Sequence, residues 1–276
     1  MGGGEDFPMT APFVEPGQRC LVVTGHPNHE LAIFGFAQRV RPRFLFLTDG
    51  GGERRVAESR RGLAKLGLLE GARFLPTREP ALYEALLNQA GDVFAALVTE
   101  VRAEIVRTAA RHVFCESVEY YNPLHDITLP IVWAATRGLS GIEIWEFPLI
   151  AQIPGPGERY RVQRIVPHRE RDGVRIDLTP DELAKKLDAK AHIYGCLQAQ
   201  LGSVADGLTE RHLGVEYFAR AQAAYRDPGG EDCVRYDWRA RHLLETGEIS
   251  RAITHCGHVG PMVAALALDH AVAAGP

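Results

Sequence analysis

The sequence predicts an α/β protein with a Rossmann-like, mostly parallel sheet and helices on both faces of that sheet. First, short apolar segments such as 20–24 and 43–48 have the β-branched and aromatic residues of buried strands. Second, segments with helical spacing separate them, and strands that alternate with helices form parallel sheets through right-handed connections. Third, glycines end the apolar runs, as at Gly25 and Gly50.

The order of the elements follows from the same patterns. The first strand leads into a helix from Glu30, and the second leads into a glycine run and a helix over 53–69. No sharp change of composition divides the chain, so residues 19–276 are predicted to form a single domain after a flexible N-terminal segment, 1–18. The remaining predictions are a strand from Phe74, a mostly helical stretch over 81–109, a strand over 112–115, an apolar helix through 131–135, a strand over 142–147, a rigid turn at 153–157, a hairpin within 164–178 and an amphipathic helix over 181–201.

Composition and charge argue against several classes of protein. The 276 residues are 46% hydrophobic, which is enough for a full core, and their formal net charge of −4 does not favour nucleic acid or an anionic membrane as a partner. No apolar run approaches the roughly 20 residues of a membrane helix, and residues 1–6 lack the pattern of a secretory signal. The five cysteines are scattered and include no CxxC pair, which favours reduced thiols in a cytoplasmic protein.

Two histidines, His26 and His29, follow the first strand. They would lie at the carboxyl end of a parallel strand, where open α/β sheets bind their ligands. Two imidazoles three residues apart can converge on one divalent cation, although a polar loop can contain two histidines by chance. A catalytic zinc needs a third protein ligand, and His125 could provide it after the fourth strand, or could serve instead as a capping or surface residue.

Other polar residues belong to the same predicted crevice. Asp49 follows the second strand and is expected to point into the same crevice as His26, where it could contact the substrate. Tyr121 follows the fourth strand and is predicted to form core or crevice wall. The segment Thr254–His258 has residue types that bind zinc, but its spacing is too compact for a closed site. It is therefore interpreted as a helix-entry loop that could cover the crevice, with His258 as a substrate contact.

In this order, the motifs resemble those of the PIG-L/LmbE-like superfamily of zinc-dependent N-deacetylases and amidases. That superfamily has a strand that ends in HPDDE, a second that ends in TxG, a helix that begins with RxxE and ends in LG, and a later HPDH motif. The matching segments here are His26–Glu30 (HPNHE), Thr48–Gly50, Arg55–Glu58 running to Leu66–Gly67, and Asn122–His125, with further similarity at 190–198 and 214–218. The resemblance covers about residues 20–218 and implies the fold named above.

The resemblance implies that His26, His29 and His125 hold the metal, with histidine replacing the usual aspartate ligand at position 29. Asn28 occupies the position of the general base, and an amide cannot accept a proton from water at neutral pH. Asn122 occupies the position of the histidine that stabilises the oxyanion, and it could still donate a hydrogen bond there. Candidates for a relocated base are the carboxylates on the crevice loops: Asp49, Glu116, Glu119 and Asp126.

Three functional hypotheses follow. The first is a hydrolase that cleaves a C–N bond of a small metabolite, such as an intermediate of secondary metabolism, with zinc-activated water and a relocated base. The second is a metal-dependent enzyme of different chemistry, such as elimination, ring opening or rearrangement, and the third is an inactive metal-binding protein. Ferrous iron or another divalent ion is an alternative to zinc, and a homo-oligomer is left open. Arg55, together with Arg54 and Arg60, could hold an anionic group of the substrate or could be a solvated helix charge.

Overall fold

The computed structural model describes Val14 and residues 18–152, 160–164, 173–201, 210–221 and 234–268. The strands are β1 (Cys20–Thr24), β2 (Arg43–Phe46), β3 (Ala72–Phe74), β4 (His112–Glu116), β5 (Glu143–Phe147), β6 (Ile150–Gln152), β7 (Tyr160–Val162), β8 (Gly173–Asp177) and β9 (Val215–Arg220). The helices are α1 (Phe34–Val40), α2 (Glu53–Lys65), α3 (Glu79–Leu87), α4 (Gly91–Thr108), α5 (Pro123–Thr136), α6 (Pro180–His192), α7 (Gly195–Leu201), α8 (Glu210–Leu213), α9 (Arg235–Glu245) and α10 (Gly260–Leu268).

Seven of these strands form one sheet in the order β3-β2-β1-β4-β5-β9-β8. Strands β1 to β5 pair in parallel, and β9 and β8 extend the sheet in antiparallel fashion. The chain runs outward from β1 through β2 and β3 and then returns to β4 on the other side of β1. The carboxyl ends of β1 and β4 therefore form the topological switch point, where open α/β sheets bind ligands.

Strand β1 lies at the centre of the core, and residues 21–23 have no exposed surface. Its side chains alternate between the two faces of the sheet, so Val23 packs in one apolar cluster and Val22 in the other. The first cluster also contains residues of α4 and α5, and the second contains residues of α1, α2 and α6. Burial on both faces explains the continuous apolar pattern of this strand. The predicted mostly parallel sheet, with helices on both faces, is confirmed.

Several predicted boundaries differ from the structure. The predicted helix 81–109 is two helices, because the chain turns after α3 and Gln89 adopts a left-handed conformation with φ 52°. The predicted helix 181–201 is likewise divided between α6 and α7 at residues 193–194. Helix α5 begins at Pro123 and includes the predicted apolar stretch 131–135, because proline is favoured in the first turn and Asn122 caps it.

The C-terminal half of the predicted hairpin forms β8, which pairs with β9. Residues 165–172 of that hairpin and the predicted turn 153–157 lie outside the described residues. The predicted flexible segment 1–18 also lies outside them, apart from Val14 and Gln18, and the single domain stays a prediction. No helix in the described ranges is long and apolar enough to cross a membrane.

Candidate metal centre and cavity

Three histidines from two neighbouring strand ends meet at the switch point. His26 and His29 follow β1, and His125 lies in the first turn of α5, which follows β4. Their ring centroids are 5.2 Å apart for His26 and His29, 5.1 Å for His26 and His125, and 4.6 Å for His29 and His125. One ring nitrogen from each lies within 4.8 Å of the other two, and all three side chains are buried. This cluster has the residue types and the proximity of a site for one divalent ion.

The loop after β1 is held by contacts that leave little freedom. The Gly25 N–H donates to both carboxylate oxygens of Glu116 at 3.0 Å, and a Cβ at this position would lie 3.0 Å from the Thr128 hydroxyl. Asn28 adopts a left-handed conformation with φ 79°, and its N–H donates to the Ser59 hydroxyl at 2.7 Å. Position 25 therefore needs glycine, because the backbone lies close to Glu116 and Thr128. The turn that follows brings the side chains of His26 and His29 together near His125.

The cap of α5 positions the third histidine. The Asn122 side-chain oxygen accepts a hydrogen bond from the Leu124 N–H at 2.8 Å, and Pro123 follows the cap. Asparagine is a favoured N-cap because its side chain satisfies a free N–H of the first turn. His125 is thereby fixed at the helix start, facing the loop after β1.

All three imidazoles are held in the neutral form that binds metals. Burial lowers the pKa values of His26 and His29 well below 6.5, and the nearby Arg55 cation lowers them further. Burial, followed by the charge of His29, lowers the pKa of His125 to about 3. Both ring nitrogens of His26, and Nδ1 of His125, have no hydrogen-bond partner among the described residues. Unpaired buried nitrogens are costly, and their presence fits a site that holds a metal ion.

Glu116 and Arg55 contact the two nitrogens of His29. The His29 Nδ1 is 2.5 Å from a Glu116 carboxylate oxygen. When Glu116 is ionised, this nitrogen donates its proton to the carboxylate and Nε2 has the lone pair. Burial raises the pKa of Glu116 to about 7. Arg55 donates to the carbonyl oxygen of Pro27 at 2.8 Å, and its Nη2 lies 3.3 Å from the His29 Nε2. A carboxylate behind a histidine is the usual partner that orients a metal ligand.

A second carboxylate, Glu79, was not among the candidates from the sequence. Its Oε1 lies 3.6 Å from the His26 Nδ1 and accepts a hydrogen bond from the Tyr83 hydroxyl at 3.0 Å. The Asn122 side-chain N–H in turn donates to the Tyr83 oxygen at 3.2 Å. Burial raises the pKa of Glu79. Glu79 is the first residue of α3, which follows β3. The expectation that polar residues after parallel strands face the crevice, which was applied to Asp49, would also have indicated Glu79.

Several predicted site residues are engaged elsewhere, and none of them lines the cavity described below. Glu119 accepts from the N–H groups of residues 149 and 150 at 2.8 and 2.7 Å, and burial raises its pKa to about 8. Asp126 accepts from the N–H groups of residues 119 and 120 at 3.0 Å each. Asp49 accepts from the Glu79 N–H at 2.9 Å, and the His258 Nδ1 accepts from the Thr254 N–H at 3.0 Å. These groups satisfy loop backbone, which is why they turn away from the crevice.

Asn28 faces the cavity, but its amide is fixed by α2. Its Nδ2 donates to a Glu58 carboxylate oxygen at 2.8 Å, and its Oδ1 accepts from the Ser59 hydroxyl at 3.0 Å. The side chain is fully buried. A neutral amide donates to the Glu58 carboxylate here, where an aspartate would be repelled by it.

The histidines open onto a cavity of about 280 Å³. Of the three arginines considered from the sequence, only Arg55 lines it. Arg54 is exposed and lies near Glu58, and Arg60 lies over the Phe74 ring. The described residues that line the cavity are His26, Asn28, His29, Leu31, Ala32, Arg55, Tyr121, Asn122, His125, Leu149, Ile150, Val162, Gln163, Lys190, Tyr194, Leu197, Arg235 and Arg239. The fold and the site thus define an α/β protein with a candidate divalent-metal centre at the wall of a cavity.

Comparison with known proteins agrees with this fold. No protein-family model matches the sequence, and a search of curated proteins gave no match. Among solved structures, a deacetylase triple mutant (Orf2*T) of the teicoplanin biosynthetic pathway has a TM-score of 0.50 and 14% identity, over 75% of this chain and 100% of that chain. The A40926 pseudoaglycone deacetylase Dbv21 has a TM-score of 0.50 and 15% identity, over 76% and 99%. The zinc-inhibited form of teicoplanin deacetylase Orf2 has a TM-score of 0.50 and 12% identity, over 75% and 100%.

This chain therefore has the fold of these deacetylases. The finding confirms the fold that the resemblance to the PIG-L/LmbE-like superfamily predicted.

Proposed function

We propose that this protein is a divalent-metal-dependent hydrolase that cleaves a C–N bond, of the amide or N-acyl kind, in a small metabolite. The observation that carries the proposal is the buried cluster of His26, His29 and His125 at the cavity wall. Its unpaired ring nitrogens fit metal ligation, and zinc, with ferrous iron as the alternative, suits three imidazoles. The similarly folded proteins are described as deacetylases, one of them in a zinc-inhibited form, which supports this class of reaction.

In the proposed reaction, water adds to the acyl carbon and the C–N bond breaks, which yields a carboxylate and a protonated amine. A bound metal would polarise the carbonyl oxygen and lower the pKa of a water molecule. Arg55 lies beside His29, where its guanidinium would stabilise negative charge on the carbonyl oxygen. Asn122, at the cavity wall, keeps its Oδ1 on the helix cap and so orients Tyr83 through its N–H group.

We assign the role of proton acceptor to Glu79. Of the two carboxylates next to the histidines, Glu116 is fully buried and saturated by Gly25 and His29. Glu79 retains an oxygen, Oε2, without a hydrogen bond to any described residue, and its side chain is 12% exposed. A general base must reach the proton it removes, so Glu79 is the better candidate of the two, although neither carboxylate lines the cavity.

The test is metal analysis and an activity screen on the purified full chain. We expect about one metal ion per chain and release of amine from at least one member of a panel of N-acylated amines. His125→Ala should lose both, whereas His242→Ala, a change at an exposed histidine of α9, should lose neither. A wild-type protein that stays metal-free after reconstitution would overturn the proposal, and it would overturn the inactive metal-binding protein as well.

The absence of any Asp or Glu among the described cavity-lining residues favours a second candidate, a metal-dependent elimination, ring opening or rearrangement. Hydrolysis in ¹⁸O-labelled water places the label in the released carboxylate. An elimination, a rearrangement or a ring opening without addition of water does not place the label on an acyl carbon. Product mass therefore separates the two candidates for any substrate that is turned over.

A further inference from the structure

The cavity wall carries positive charge and, among the residues described, no negative charge. Its four cations come from three helices: Arg55 from α2, Lys190 from α6, and Arg235 and Arg239 from α9. Arg55 lies beside the histidines and is held by backbone carbonyls. The other three come from elements that supply no histidine to the metal centre. A cavity lined by one sign of charge attracts ligands of the opposite sign.

Two of these cations have no polar partner in the part of the chain that the structure describes. Within the described ranges, neither Lys190 nor Arg239 has an ion pair or a side-chain hydrogen bond. Lys186, one turn earlier on α6, pairs with the buried Glu216 at 2.8 Å, so that lysine has a structural role. Lys190 has no such carboxylate. Cations with unused donors at a cavity wall fit charge-assisted hydrogen bonds to an anionic ligand.

Arg235 is held in place by two aromatic rings. Its guanidinium carbon lies 4.3 Å from the centre of the Tyr121 ring and 5.8 Å from that of Tyr160. Its Nε donates to the Tyr160 hydroxyl at 3.2 Å, and its two terminal amino groups have no hydrogen bond to a described residue, so they can bind a ligand. A planar fork fixed in this way loses little freedom when it binds a carboxylate or phosphate.

The rest of the wall indicates the other parts of the ligand. The Gln163 side-chain oxygen is buried and has no hydrogen-bond partner among the described residues, so it can accept from an N–H or O–H group. The remaining wall is largely apolar and would contact a hydrocarbon part of the ligand. The apolar residues are Leu31, Ala32, Leu149, Ile150, Val162 and Leu197.

We propose that the substrate is a small N-acyl compound with an anionic oxygen group, and that Lys190, Arg235 and Arg239 bind that group. The amide part of this inference rests on the proposed function, whereas the anion subsite rests on the cations alone. A carboxylate and a phosphate share the required chemistry. The experiment therefore includes a carboxylate pair and a phosphate pair.

Isothermal titration calorimetry on the full chain compares N-acetyl-leucine with its neutral carboxamide, and N-acetylglucosamine 6-phosphate with N-acetylglucosamine. We expect the anionic member of at least one pair to bind about 10-fold or more tightly than its neutral counterpart. Lys190→Gln and Arg239→Gln should each reduce that advantage, and the double variant, which keeps Arg235, should lose most of it. Lys185→Gln removes an exposed charge from the same helix outside the cavity and should retain it.

The outcomes separate this inference from the proposed hydrolase. Equal affinity within both pairs, including no binding of any member, would overturn the anion subsite. Tight anion binding that persists in the double variant would also overturn it. Anion binding that depends on Lys190 and Arg239, with no amine released, would support the subsite and count against the hydrolase. Equal hydrolysis of the acids and their neutral counterparts would support the hydrolase and overturn the subsite.

Discussion

Replacement of Glu116 by glutamine should weaken metal binding while the fold stays intact. The Glu116 carboxylate accepts from the His29 Nδ1–H at 2.5 Å and from the Gly25 N–H, and it has no exposed surface. Glutamine has nearly the same shape and can still accept one of these bonds, but it loses the charge that strengthens both. Loss of such an outer partner typically weakens metal affinity about 10- to 100-fold, or about 1.4 to 2.7 kcal/mol.

The assay is a competitive zinc titration against a fluorescent chelator, with folding checked by circular dichroism and thermal unfolding. Glu119→Gln is the matched control, because Glu119 lies three residues away, is similarly buried and accepts two backbone hydrogen bonds but none from a histidine. We expect wild-type zinc affinity for Glu119→Gln. Wild-type zinc affinity in Glu116→Gln, or equal weakening in both variants, would contradict an orienting role for Glu116.

Three further predictions address the loops and the core. Asn28→Asp should lower the melting temperature, because it places a second carboxylate against that of Glu58 in a buried site. Addition of Glu58→Gln should restore most of the lost stability, and thermal unfolding of the single and double variants measures both effects. Gly62→Ala should lower the free energy of unfolding in urea by about 1–3 kcal/mol, because the new Cβ would lie 1.8 Å from the hydroxyl oxygen of the buried Tyr194. Gly91→Ala is the control and should not destabilise the fold in this way, because no atom lies within 4 Å of the corresponding Cβ position. Burial raises the pKa of Glu119 to about 8, above its value in the unfolded chain. The folded state therefore holds this proton more tightly, so the free energy of unfolding is highest at low pH and falls as the pH rises towards 8. Urea unfolding from pH 5 to 8 should therefore show a slope of up to about 1.4 kcal/mol per pH unit that Glu119→Gln removes, and equal slopes would contradict this cause.

The sheet and the histidine cluster could be predicted from the sequence because both depend on where the strands end, which short stretches of sequence indicate. Residues 20–24 read as a strand buried on both faces, and glycine follows directly. Neighbouring parallel strands end at the same edge, so residues just after them must lie near one another. That geometry brings His125 to His26 and His29 across a sequence separation of about 100 residues, without any knowledge of side-chain packing.

Boundaries and loop orientation could not be predicted in this way. The break near Gln89 depends on one residue in a left-handed conformation, for which the helical spacing of 81–109 gives no signal. Glu116 ends β4, Glu119 lies in the loop that follows, and the two have the same chemistry. Only the packed structure shows that one contacts a histidine while the other satisfies the backbone of residues 149 and 150. Which buried N–H groups need an acceptor is decided by the arrangement of distant segments.

By itself, the sequence determined the α/β architecture, the edge of the sheet that carries the candidate site and the three histidines that meet there. The tertiary structure alone decided which carboxylates stand behind the histidines, that Asn28 is held by Glu58, and that the cavity wall is cationic. The apolar pattern of a strand and the order of strands and helices depend on short stretches of sequence, so they can be predicted without the tertiary structure. The charge of a cavity depends on which faces of α2, α6 and α9 pack towards it, and that is set by long-range contacts across the whole core.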